Sequence, residues 1–187
     1  LATGVTLPNN TSLSNLEGIQ LTTGAGNDTF DATGFMAESR FTAGAGTDLL
    51  IYDHTGQGAA LRIQADLHEF HNGLAFFSFS NVEIFHLTGG SAADLFFAGA
   101  GDDILAGGGG DDGMLGGEGN DTISGGDGVD SFGGGTGANI LSGDAGNDRL
   151  EGGSANDQLF GGLGDDFVDG GGGDDWIEGG DDGDTLF

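Results

Sequence analysis

Gly116-Gly117-Glu118-Gly119-Asn120-Asp121-Thr122-Ile123-Ser124 is one unit of a nine-residue pattern that decides the architecture of this chain. A second clean copy is Gly161-Gly162-Leu163-Gly164-Asp165-Asp166-Phe167-Val168-Asp169, and the two share the template G-G-x-G-x-D-x-U-x, with U apolar. Outward from either copy the register holds from Gly89 to Phe187, eleven units with no insertion or deletion. The sixth column is Asp94, Asp103, Asp112, Asp121, Asp130, Asn139, Asp148, Asp157, Asp166, Asp175 and Asp184. The eighth is Phe96, Leu105, Met114, Ile123, Phe132, Leu141, Leu150, Leu159, Val168, Ile177 and Leu186, apolar every time.

The Gly/Asp half of each unit predicts a turn, because glycine allows left-handed backbone and close approach of a neighbouring chain. The x-U-x half predicts a very short strand in which only the middle side chain points inward. One inward apolar residue per unit buries too little to fold alone, so the units have to stack as a solenoid, each on its neighbours.

The acidic column has a chemical reading. Calcium takes about six to eight hard oxygens at roughly 2.3 to 2.6 Å. One unit offers one side-chain carboxylate and some turn carbonyls, too few alone, whereas two turns stacked about 4.8 Å apart could share an ion. With these columns the array resembles the calcium-binding nonapeptide of the repeats-in-toxin (RTX), hemolysin-type family. The resemblance implies an all-β, right-handed parallel β-roll, a solenoid with two nonads per turn and Ca2+ held between loop n and loop n+2. It also implies type I secretion and folding outside the cell. On that pairing eleven loops give at most nine shared sites. Asn139 would serve two of them, and as an uncharged ligand would make both weak.

Composition alone, with 43 glycines and a net charge of −28, would favour a disordered tract. Disorder gives no reason to hold Asp and an apolar residue in fixed columns, so the expectation is a metal-free array that is disordered and a calcium-loaded array that is folded. The array carries 22 acidic residues against one base, Arg149, and repels itself until cations arrive. Asp181-Asp182-Gly183-Asp184 lacks the twelve-residue loop and closing Glu of an EF-hand. Collagen fails for want of a three-residue period and of proline, of which there is 1.

Composition shifts near residue 88, which divides the chain into residues 1–88 and residues 89–187. The first segment holds 10 of the glycines and reads as strands. Leu61, Ile63, Ala65 and Leu67 alternate with polar residues, and Asn72-Gly73 is a turn signal before Phe77-Ser78-Phe79-Ser80. Ser14–Gly34 aligns with Ser80–Ala100 at nine identities in 21 positions, among them Glu17/Glu83 and Asp28/Asp94. Two loops, Thr23–Asp31 and Ala43–Ile51, fit the nonad pattern singly. Residues 1–88 therefore read as a degenerate solenoid with longer excursions. Asp28 and Asp48 are candidate calcium ligands, although neither shows a partner loop two units away.

Cysteine is absent, so no disulfide or thiolate chemistry is available. The chain begins at Leu1 and ends on the last position of a nonad, as a piece of something longer would. His68-Glu69-Phe70-His71 lacks a third metal ligand and reads as surface or turn residues, and His54 and His86 stand alone. The acid pairs Asp102/Asp103, Asp165/Asp166 and Asp174/Asp175 fall in columns five and six and read as loop residues rather than as a general acid and base. Three Arg and no Lys argue against nucleic acid and anionic membrane surfaces as partners. Phe97, Leu115, Phe160, Phe187, Phe167 and Trp176, outward by register, either line a partner or subunit interface or cover the edges of the roll. The expected function is a non-enzymatic calcium-binding module of a secreted protein, adhesive or surface-layer, whose partners are calcium and copies of itself or a cell-surface or matrix component. The alternative is the tail of a secreted enzyme or toxin. A roll binding ice through a regular Thr row fails, because column three holds no such row.

Overall fold

The computed structural model describes residues 2–6, 12–13, 19–31, 39–55, 62–64, 69–71, 76–80 and 82–187. Its regular structure is β throughout, with no helix among the described residues. The strands form two sheets, of twelve and nine members, and successive units alternate between them. Leu95–Ala100 pairs with Gly113–Glu118, which pairs with Ser131–Thr136, all parallel. Ile104–Gly109, Thr122–Asp127 and Ile140–Ala145 do the same in the other sheet. Phe96 lies opposite Met114 and Leu105 opposite Ile123, a register of two units per coil. The chain is a parallel β-solenoid.

The strands are longer than the x-U-x reading allowed. Ile104–Gly109 and most others in the array run six residues, through x-U-x and on into the G-G-x of the next unit. Two glycines do not break a strand here because each layer below and above supplies its ladder bonds; for example, Gly109 N–H donates to Gly90 O at 2.9 Å. The extension puts two inward positions in each strand, the column-eight residue and the first residue of the following unit. The second is glycine in nearly every unit, so the interior is almost single file.

From Phe96 to Val168 the column-eight side chains are at most 4 % exposed. At the end of the stack Ile177 is only partly buried and Leu186 is 46 % exposed, since no further layer covers them. The layers also explain the glycines. Gly117 has φ 115°, and a Cβ there would stand 2.0 Å from the carbonyl oxygen of Gly99 one coil below. Handedness and close approach both exclude a side chain. Only Asp144 and Asp182 take positive φ without being glycine among the described residues, at 72° and 78°. Asp144 stands in a column that is otherwise glycine and Asp182 in one that otherwise holds glycine or alanine, and Asp144 answers with its carboxylate, which accepts hydrogen bonds from the hydroxyls of Ser124 and Ser142.

Strands of the first segment join the same two sheets. Ile84–Thr88 pairs on one side with Leu49–Asp53 and on the other with Ile104–Gly109. Leu87 and Tyr52 continue the buried column beyond Leu105, and Phe85, Leu50 and Phe30 stack as a second buried ladder beside it, all at most 2 % exposed. Ile19–Thr22 and Ile84–Thr88, equivalent by sequence, fall in opposite sheets. The larger sheet contains one antiparallel detour, in which Arg62–Gln64 pairs with Glu69–His71 and that strand with Phe76–Ser80. Residues 69–71 of the His-Glu-Phe-His stretch are thus strand rather than turn. Asn72-Gly73 lies between the two antiparallel strands, outside the described residues, as do Leu61, Ala65 and Leu67.

Candidate metal centre

The turns stack as the strands do, and the sixth column does the joining. Asp112 Oδ1 accepts the Asp94 N–H at 2.7 Å, Asp121 Oδ1 the Asp103 N–H at 2.9 Å, and Asp130 Oδ1 the Asp112 N–H at 2.8 Å. The pattern continues through Asn139, Asp148, Asp157, Asp166, Asp175 and Asp184. Every bond spans 18 residues, so the column is two separate rows. One runs Asp94, Asp112, Asp130, Asp148, Asp166, Asp184; the other runs Asp103, Asp121, Asn139, Asp157, Asp175.

The second carboxylate oxygen of Asp94 accepts the Gly90 N–H at 2.9 Å, but along most of the column that oxygen has no such partner. Oδ2 of Asp103, Asp112, Asp121, Asp130, Asp148, Asp157 and Asp166 is buried with no hydrogen bond, and their residues are at most 3 % exposed. A buried charged oxygen left unmatched costs several kcal/mol, on the order of what is lost when an ion pair is halved. It faces another oxygen. A Cβ placed on Gly107 would stand 2.2 Å from Asp112 Oδ2 and 2.6 Å from Gly125 O, the carbonyl one coil on. At Gly161 the corresponding distances are 2.4 Å to Asp166 Oδ2 and 2.3 Å to Gly179 O. The missing side chain of column one thus leaves a cradle in which acceptors from two coils converge with nothing to donate to them. A hard cation satisfies that arrangement.

Electrostatics agree. Burial pushes the carboxyl of Asp103 up to about 8, that of Asp112 to about 7 and that of Asp148 to about 6. Burial also raises Asp121, Asp130, Asp157 and Asp166. No group of three or more His, Cys, Asp or Glu gathers among the described residues, so an ion here would draw on backbone carbonyls beside one or two carboxylates.

The profile of the RTX calcium-binding nonapeptide repeat matches four times, at residues 86–114, 114–141, 133–168 and 151–186, more than half of the chain. The chain belongs to that family. Its orphaned oxygens therefore fit the ion for which RTX repeats are known, and the solenoid is a calcium-binding-repeat module. Compared with curated proteins, the chain finds no match.

Outside the RTX array, Asp28 and Asp48 prove to be partners. Asp48 Oδ1 accepts the Asp28 N–H at 2.8 Å, and Ala25 bridges Ala45. The expectation that each loop lacked a partner is corrected: the spacing is 20 residues instead of 18, because the intervening excursion is longer than a nonad. Sequence reasoning also missed Glu83, whose Oε2 accepts the Asp48 N–H at 2.9 Å and fills the sixth-column place in the next coil. Its signal was the Glu17/Glu83 identity. Beside Asp28, Asp48 and Asp103, column one carries Thr23, Ala43 and Ala98 in place of glycine, so a side chain walls those cradles.

Column five forms a second ladder running the opposite way. Asp102 Oδ1 accepts the Asn120 N–H at 2.7 Å, Asn120 Oδ1 the Ala138 N–H, and Asp165 Oδ1 the Gly183 N–H. These residues are exposed and bond to the coil that follows, which leaves the inner cradle to column six. Asp102 and Asp165 are therefore loop residues, as expected, with a hydrogen-bonding role. His86 is half-buried and His54 buried against the Tyr52 hydroxyl at 3.3 Å.

Proposed function

We propose that the chain is a calcium-triggered structural module of an exported protein, non-enzymatic and adhesive or surface-layer in role, that folds where calcium is plentiful outside the cell. In this reading residues 89–187 are the calcium-loaded roll, with Asp94, Asp112, Asp121, Asp130, Asp148, Asp157, Asp166, Asp175 and Asp184 as ligands, and residues 1–88 are a solenoid segment; Asp28, Asp48 and Asp103, each beside a first-column side chain, join their coils through hydrogen bonds. The observation that carries it is the row of buried, unpartnered Oδ2 atoms. The thin interior supports it too, since one apolar side chain per unit is a small return for ordering nine residues. Val129, Leu163, Trp176 and Phe187, each more than half exposed, offer apolar surface to a matrix partner or a second copy. No described helix is long and apolar enough to cross a membrane.

Circular dichroism tests the trigger. The chain should give a coil-like spectrum in chelator and a strand-rich one in millimolar calcium. Strand structure that ignores chelation would end the proposal.

A further inference from the structure

Asn139 interrupts the sixth column, and the geometry shows what the change of one atom does. The residue is 1 % exposed and its Oδ1 serves the ladder as its neighbours do, accepting the Asp121 N–H at 2.9 Å. Nδ2 then occupies the place where the other loops present Oδ2: a Cβ on Gly134 would stand 2.3 Å from Asn139 Nδ2 and 2.7 Å from Gly152 O. An amide nitrogen only donates. It donates to Gly152 O at 3.3 Å and to Gly137 O at 3.1 Å.

Gly152 O is the equivalent of the carbonyls that face Asp112, Asp130 and Asp148. There an acceptor meets an acceptor and a cation has to lie between them. Here a donor meets an acceptor and the pair is already complete. The network fixes the amide's orientation, because the opposite one would set its NH2 against the Asp121 N–H and leave its oxygen facing Gly152 O.

We propose that the junction between loops 134–139 and 152–157 is closed by the Asn139 amide and takes no calcium. The junction one coil earlier keeps its ion, because its inward oxygen is Asp121 Oδ2, buried and unpartnered like those of Asp112 and Asp130. Asn139 therefore removes one site outright rather than weakening two. The row through Asp103 is split into two calcium-bound blocks by a hydrogen-bonded joint, while the row through Asp94 is unbroken.

The proposal rests on the calcium reading of the column, and counting ions separates the two. Bound calcium per chain is measured by equilibrium dialysis at saturation, with circular dichroism to confirm the fold, on the parent chain and three variants. Asn139→Asp restores the acceptor pair and should bind one calcium more than the parent. Asn139→Ala should bind as many as the parent while needing more calcium to fold, because it loses the joint and no ligand. Asp148→Asn builds the same joint in the other row, so it should fold and bind one fewer. An Asn139→Asp count equal to the parent's, an Asn139→Ala count below it, or an Asp148→Asn count unchanged would overturn the proposal. A parent chain that binds no calcium would bring down the calcium reading and this proposal together.

Discussion

At the residue scale the absent side chain of column one matters as much as the carboxylate of column six. Gly107 holds open the space between Asp112 Oδ2 and Gly125 O, and a methyl there would stand 2.2 Å from the first and 2.6 Å from the second. Gly107→Ala should therefore cost one bound calcium and on the order of 2 kcal/mol of stability in saturating calcium, through overpacking and a displaced ligand. Ion counting and a urea midpoint check it. A variant that keeps the full count would show that the cradle is not where calcium sits. Asn139 marks the same place from the other side, since replacing one oxygen by NH2 supplies the donor that the cradle otherwise lacks.

At the element scale the strands are held by what lies above and below them, so position along the stack sets the value of a core residue. Leu141 is fully buried in the middle of the array and Leu186 is 46 % exposed at its end. Leu141→Ala should destabilise the loaded fold by about 2 to 5 kcal/mol and Leu186→Ala by well under half of that. Urea unfolding in saturating calcium makes the comparison, and equal losses would mean that the layers do not cover one another as described. Much of this was legible in the sequence: an unbroken period of nine fixes the apolar and acidic columns, and with the family resemblance it gives two units per coil. Strand length was not, because glycine pairs such as Gly107-Gly108 read as turn while neighbouring coils hold them in a ladder. Glu83 was hidden for another reason. It lies 35 residues beyond Asp48, off any multiple of nine, and only the fold brings the two together. Asn139 was legible as an odd residue, but which atom of its amide faces the next coil depends on three-dimensional bonding.

At the scale of the whole molecule a net charge of −28 includes a column of carboxylates that burial raises in energy. Asp103, Asp112 and Asp148 are pushed up to about 8, 7 and 6 from 3.8, so the metal-free fold holds protons that the unfolded chain has released. The sign follows: the penalty on the metal-free fold is absent below about pH 4, grows as pH rises through those values, and is complete above about pH 8. A protonated Oδ2 can also donate to the facing carbonyl, as Asn139 Nδ2 does. Calcium-free chain should therefore gain strand signal as pH is lowered from 8 toward 4.5. No gain would mean that carboxylate repulsion does not hold the metal-free chain open. The central claim is that the unpartnered Oδ2 atoms are calcium ligands shared between coils. Crystals grown in calcium, with anomalous scattering from calcium or a lanthanide replacing it, test it most directly. The account predicts two rows of ions, each ion between loops two units apart and in contact with a sixth-column Oδ2. Ions bridging consecutive units, or ions only on the outer carboxylates of column five, would contradict it.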